Sequence, residues 1–448
     1  MFSSIRYLFS DLGHWLSRHR LASGLVVIAV LAAAGVGVYL LSTDDETGQE
    51  VAAEAPAPRI VVEAPAQTTP DTEDLGFPAF ATKNTTRVGG ADPVADAAGV
   101  ALAVDPSTGG IPGPDAVTLV DAGEWQGGIA AASLTAEPVG APVLITESGH
   151  LPAVTSAALR SLDPQGSAAT AGRQVFVVGA AANPDGFETL ELEGKDPAEL
   201  AMQIDRLRER LAGKPDHLVV ASSDMPAYAM PAAGWAARSG DPVLFVDRAG
   251  VPDATRKALS DHPRTPVYVL GPRSAISAKT LAEIEKLAPG AQRVGAEGPV
   301  ENAIAFARVA DGSFGWNIND PGHGFVIANA DRPLDAAAAA PLSASGTWGP
   351  LLLTDDGAAL PAALRGFLLD LKPGYVDDPT RAVYNHLWLI GDTSALSVAL
   401  QSQADDLAEV APVTSGSGAS SVVPPSGAPE SQPAPNPQKP KDQSANQP

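Results

Sequence analysis

The sequence predicts an α/β protein built as three tandem three-layer α/β/α repeats with mainly parallel sheets. Three observations carry that prediction. The segment Arg87-Val-Gly-Gly-Ala-Asp-Pro-Val-Ala-Asp-Ala returns as Arg293-Val-Gly-Ala-Glu-Gly-Pro-Val-Glu-Asn-Ala, and a degenerate copy, Gly194-Lys-Asp-Pro-Ala-Glu-Leu-Ala, lies between them. The shared prolines, Pro93, Pro197 and Pro299, set a period of roughly 100 residues, enough for each copy to be a small domain. After each cassette, short continuous apolar runs alternate with helical stretches, the pattern of parallel strands buried on both faces. Finally, hydrophobic residues make up 45 % of the 448-residue chain but aromatics only 5 %, so the cores must be built from Ala, Val and Leu.

Taken in order, residues 1–20 are polar, with Arg6, Arg18 and Arg20 against Asp11, and read as a cytoplasmic N-terminus. The uncharged run 21–41 is long enough for a transmembrane helix, since about 20 residues at 1.5 Å each cross a core of roughly 30 Å. Basic residues before it and Asp44-Asp-Glu after it place the bulk of the chain outside the cytoplasm. A cleaved signal peptide is the competing reading, but the exit Tyr39-Leu-Leu-Ser-Thr lacks a small-x-small site. Residues 42–83 are a Pro/Ala-rich stalk, and 411–448 a Pro/Ser-rich tail expected to be disordered. Between them the repeats span 84–186, 187–290 and 291–410.

Each repeat opens with a helix. In the clearest, Asp196 suits an N-cap, Pro197 the first turn, and Leu200, Ile204, Leu207 and Leu211 one apolar face. A first strand follows (Val117-Thr-Leu-Val, Leu218-Val-Val-Ala, Phe325-Val-Ile-Ala), then an Ala-rich helix. The second strand begins at Pro142, Pro242 or Pro350, and a further helix opens at Leu151-Pro, Val251-Pro or Leu360-Pro. A third strand ends on Gly179, Gly271 or Gly391. None of these glycines begins a GxGxxG, so they read as turns, not as a dinucleotide site.

Charge and chemistry exclude more than they assign. Asp+Glu number 52 against Lys+Arg 29, a net charge of −23, which argues against nucleic acid and against docking by broad attraction onto an anionic polymer. The absence of cysteine excludes disulfides, thiolate metal sites and a Cys nucleophile. His150, His217, His262, His323 and His386 lack metal-ligand spacing, so no metal or cofactor is expected. No Ser, His and Asp stand in a recognisable nucleophilic order, and the chain reads as no enzyme.

The ordered set of motifs resembles the cell wall-binding repeat of type 2. The clearest matches are Asp331-Arg-Pro-Leu-Asp-Ala-Ala-Ala-Ala-Ala-Pro-Leu with Gly349-Pro-Leu-Leu-Leu-Thr-Asp, and Gly140-Ala-Pro-Val-Leu-Ile-Thr. The resemblance covers about residues 84–410. The resemblance implies a non-catalytic module of the bacterial envelope. Its three copies would pack as a pseudo-threefold trimer and bind a cell-wall glycopolymer non-covalently, an anionic one where it is known. This chain departs from the pattern: the D-A-x-A-A aspartate survives only as Asp335, with Gly127 and Tyr228 in its place elsewhere.

The ligand-binding candidates are Arg87, Arg293, Asp224, Asp331, Asp335 and Trp125. The arginines suit bidentate contact with acidic groups, or a structural salt bridge between repeats, which is the favoured reading. The aspartates follow strands, where open α/β sheets gather ligands, and equally suit helix N-caps. Trp125 suits stacking on a sugar or a place half in the core. The expected partners are a cell-wall polymer, the membrane through the N-terminal helix, and, in the alternative reading, an envelope protein recruited by the repeats and the Pro-rich tail.

Overall fold

The computed structural model describes residues 80–107 and 112–413. Strands β1 (Phe80–Ala81) and β2 (Thr85–Val88) form an antiparallel pair at its start. Helix α1 (Pro93–Val104) follows, capped by Asp92, whose side chain accepts the Ala95 N–H, with Pro93 in the first turn. Then come β3 (Val117–Asp121), α2 (Trp125–Ala131) with a 3₁₀ turn over Ala132–Thr135, β4 (Val143–Thr146), α3 (Ala153–Leu162), β5 (Val175–Val178) and β6 (Thr189–Leu192). The second run is α4 (Pro197–Ala212), β7 (Leu218–Ser222), α5 (Pro226–Ser239), β8 (Val243–Val246), α6 (Asp253–Asp261), β9 (Val267–Leu270), α7 (Ala278–Leu287) and β10 (Gln292–Val294). The third is α8 (Pro299–Arg308), β11 (Gly324–Asn329), α9 (Asp335–Ala338), α10 (Ala340–Ala344), β12 (Leu351–Thr354), α11 (Ala362–Asp370), β13 (Gly374–Tyr375), β14 (His386–Ile390), α12 (Val398–Ala408) and β15 (Ala411–Pro412).

Among the described residues the strands form three equivalent sheets, ordered β4-β3-β5-β6, β8-β7-β9-β10 and β12-β11-β14-β2, the last extended by β1, and a separate two-stranded pair, β13 with β15. Every pairing among the four strands of each set is parallel. The fourth strand of each sheet comes from a cassette, and the apolar-run pattern does not reveal it. Thr85-Thr-Arg-Val, Thr189-Leu-Glu-Leu and Gln292-Arg-Val mix polar and apolar residues because these strands lie toward a sheet edge. Boundaries at 187 and 291 fall just before the strand that completes the preceding sheet. The third sheet is completed by β2, some 300 residues upstream, with Leu389 opposite Arg87 and Ile390 opposite Val88. The chain therefore closes into a ring of three α/β units.

The helix after each cassette packs on the next sheet in sequence and on the Ala-rich helix of the unit before. Helix α4 lies against β8 and also α2, α8 against β12 and also α5, and α1 against β4 and also α9. The Ala-rich helices α2, α5, α9 and α10 meet one another at the centre. Their approach needs glycine: a Cβ on Gly128 would stand 3.0 Å from the Ala337 methyl, and one on Gly234 3.0 Å from Ser343 Oγ. One apolar cluster runs through all three units, while the outer layers of the first and second units have clusters of their own. Trp235 lies in that shared cluster, and Trp388 packs against it.

The expected transmembrane run 21–41, nearly all of the stalk and the tail beyond 413 lie outside the described residues. Among the described residues no helix is long and apolar enough to cross a membrane.

Candidate functional site

Parallel strands deliver their loops to one end of a sheet, and the crevice there is bounded by the helix that follows and by a neighbour. The ring makes this crevice three times, with the opposing pair changed each time. At the third sheet Asp335 on α9 faces Asp96 on α1. At the first, the open side of Gly127 on α2 points at Leu200 on α4, whose Cδ2 would stand 3.1 Å from a Cβ on that glycine. At the second, Asn302 on α8 donates to the Tyr228 carbonyl on α5 at 3.3 Å. The crevices are thus charged, apolar and neutral-polar in turn.

The charged crevice is the most elaborate. Asp96 and Asp335 are fully buried, and Arg332, largely buried, reaches both. Arg332 pairs with Asp96 Oδ2 through its terminal nitrogen, and its Nε stands 2.8 Å from Asp335 Oδ2 without pointing its hydrogen there. The other Asp96 oxygen accepts the Gly90 N–H at 2.6 Å. Gly89, at φ +109°, leaves room for that carboxyl, since a Cβ there would overlap Asp96 Oδ1. Burial first, and the charge of Asp335 second, push the Asp96 carboxyl far above the usual carboxylate range. Asp335 is also raised by burial, with Arg332 opposing. A proton held on Asp96 would give the Asp335 oxygens, which accept no other hydrogen bond, a donor, and Arg332 is the cation beside both carboxyls.

The residues singled out in the sequence are distributed among these crevices. Arg87 is 3 % exposed and turned inward. It donates to the carbonyls of Gly391 (2.9 Å) and Asp392 (2.8 Å) and to Gln401 Oε1 (3.1 Å). Arg293 repeats the arrangement one unit earlier, on the carbonyls of Gly271 (2.7 Å), Pro272 (2.9 Å) and Ile276 (2.7 Å). Both arginines clasp the loop that leaves the neighbouring strand, so the expected inter-repeat salt bridge is replaced by carbonyl capping. In the first unit Glu191 stands in that place and bonds the Asn183 amide of the equivalent loop.

Asp224 and Asp331 are exposed, and neither caps a helix: the residues at the cap positions are Met225 and Leu334. Asp224 instead accepts the Arg248 N–H at 2.8 Å, tying two strand-end loops together. The Asp331 N–H is held by Asn329 Oδ1 at 3.0 Å in the loop after β11, and its side chain is exposed. Trp125 is half-buried and meets Phe245 edge-on at 6.0 Å, wedged between the first and second units. Sequence reasoning missed Asp96 and Arg332. The cassette repeat was the signal for Asp96, because its counterparts Leu200 and Asn302 occupy the same helical position.

Comparison with known proteins fits this geometry. The model of cell wall binding domain 2 (CWB2) matches residues 191–281. Over this segment the chain is similar to the CWB2 family. The match begins in β6 and runs through the second unit into α7, so the CWB2 segment includes the strand that completes the first sheet. Two solved structures are similar in fold to this chain, Cwp8 and Cwp6 from Clostridium difficile. Cwp8 has 17 % identity and a TM-score of 0.56 over 73 % of this chain and 52 % of its own. Cwp6 has 19 % identity and a TM-score of 0.58 over 73 % of this chain and 48 % of its own. The chain therefore spans about half the length of either. No curated protein matches the sequence.

Proposed function

We propose that this protein is a membrane-anchored binding protein of the cell envelope whose three CWB2-like units hold a cell-wall glycopolymer non-covalently. The CWB2 match at 191–281 carries this reading. That segment is one arc of a ring whose other two arcs have the same sheet order, which supports three copies and not one. The strand-end crevices are the proposed seats, with exposed Asp331 and Asp224 at their mouths. With a net charge of −23, a neutral or hydroxyl-rich stretch of polymer suits these mouths better than a bare polyanion. Holding the wall this way needs no chemical step.

The test is co-sedimentation of the purified chain with isolated cell walls. Binding is expected to intact walls and to be lost once secondary polymers are stripped. No sedimentation with intact walls overturns the reading. The run 21–41 is the proposed anchor: deleting residues 1–41 should move the protein from the membrane fraction to the soluble one. A second reading, docking of an envelope protein, is favoured by exposed Val376, Val383, Tyr384 and Val413 around the β13–β15 pair. One stoichiometric crosslinked partner without wall retention would select it.

A further inference from the structure

We infer that Ser313, His217 and Asp241 form a nucleophilic relay able to cleave carboxylic esters, on the face of the ring opposite the crevices. His217 immediately precedes β7, Asp241 lies just before β8, and Ser313 sits in the tight turn Asp311–Phe314 that joins α8 to β11. Packing of the third unit's first loop against the second unit brings them together. Ser313 Oγ lies 3.1 Å from His217 Nε2, and His217 Nδ1 lies 3.0 Å from Asp241 Oδ2.

The hydrogen bonds fix the roles. A buried carboxylate only accepts, so Nδ1 carries the proton toward Asp241, and Nε2 is left as the acceptor for the Ser313 hydroxyl. Asp241 is itself locked: its Oδ1 accepts the His217 N–H at 3.0 Å and its Oδ2 the Trp235 Nε1–H at 2.8 Å. The imidazole is packed edge-on against Tyr268 and Phe314. His217 and Asp241 are buried while Ser313 is exposed, at a cavity of about 470 Å³ that His217, Tyr268, Gln292 and Asp311 also line. This is the order of burial a nucleophile, its base and its orienting acid require.

In the same cavity the Tyr268 hydroxyl (2.9 Å) and the Gln292 amide (2.8 Å) both donate to Asp311 Oδ2. This donor pair is built to hold one anionic oxygen, and Asp311 supplies it in the resting molecule. With those donors occupied, stabilisation of a tetrahedral oxyanion is modest, which restricts the chemistry to esters and excludes amides. The fold does not demand the relay. Ala116 and Gly324 stand where His217 does in the other units, and Ala141 and Gly349 where Asp241 does.

In the reaction Ser313 Oγ attacks the ester carbonyl as its proton passes to His217 Nε2. The carbon–oxygen bond to the alcohol breaks, and the alcohol leaves with that proton. Water then gives a proton to Nε2 as its oxygen attacks the acyl carbon, the bond from that carbon to Ser313 Oγ breaks, and Nε2 returns the proton to Oγ, releasing the carboxylic acid. Asp241 is a positioning residue that holds the tautomer throughout.

The full chain treated with a fluorophosphonate probe should carry the label on Ser313, located by peptide mass spectrometry. Its hydrolysis of p-nitrophenyl acetate should fall at least roughly 100-fold in Ser313→Ala. Asp241→Asn should lower kcat with KM unchanged, which a purely structural role would not do. An unlabelled Ser313 in the folded wild-type chain, or hydrolysis unaltered in Ser313→Ala, overturns the inference. Wall sedimentation of the same samples is scored separately, and Ser313→Ala should sediment as the wild type does.

Discussion

At the scale of single residues, the arginines and the buried acids do different work from what their sequence positions suggest. Arg87 supplies donors to the Gly391 and Asp392 carbonyls and to Gln401 Oε1, so Arg87→Met should remove three bonds from a buried position. A loss of about 2–4 kcal/mol is expected from urea unfolding. The Asp96–Asp335 pair gives a pH dependence of definite sign. Both carboxyls are raised in the folded state, so above the ordinary carboxylate range the native chain holds more protons than the unfolded one. Stability from this site is therefore greatest at acid pH and declines as pH rises. Asp96→Asn removes the titration while keeping a donor toward Asp335, as Asn302 does at the equivalent place. It should match the wild type near pH 4 and exceed it by on the order of 1–3 kcal/mol at pH 8. Parallel denaturation curves for the two across that range would show that no proton is shared.

At the scale of elements, the Ala-rich helices owe their composition to their meeting at the centre. Gly128 lies against Ala337 and also near Leu334, so Gly128→Val has no room without moving two units apart. A cost of about 1–3 kcal/mol in thermal or urea unfolding is expected. The helices after each third strand show how local signals were passed over. Ser277 and Ser397 cap α7 and α12, each accepting an N–H three residues on, and in α7 Leu281, Ile284 and Leu287 also recur at helical spacing. The first unit has no such helix: its chain passes from Gly179 through a loop into β6. Strand β2 is the decisive element. It is buried throughout, and the segment before it is tied to α12 by Thr82 Oγ1 and the Asn84 N–H on Asp405 Oδ1, at 2.6 and 2.8 Å. Removing residues through Val88 should raise hydrogen exchange first in β14 and α12, far along the chain, before the adjacent β3 and β5.

At the scale of the whole molecule, the ring makes the units interdependent. The 191–281 segment takes its first strand from the sheet before and lacks β10, which completes its own. As an isolated fragment it should show no cooperative thermal transition, whereas residues 80–413 should unfold as one body. Packing of neighbouring units also sets the strand-end junctions on one face and, on the other, the His217, Asp241 and Ser313 convergence.

The sequence by itself determined the class of fold and the strands buried on both faces, because continuous apolar runs and capped helices are written locally. The family drawn from the ordered motifs is the one whose model matches residues 191–281. Which cassette strand joins which sheet was settled only by tertiary structure. A four-residue edge strand has too little pattern to specify a partner, and β2 finds its own only when the ring closes. The same holds for the functional groups. Asp335 was visible as a motif residue, but its partner Asp96 sits 239 positions away by their numbering, and His217 meets Ser313 across two units. Such contacts follow from how units pack, and no spacing along the chain encodes them.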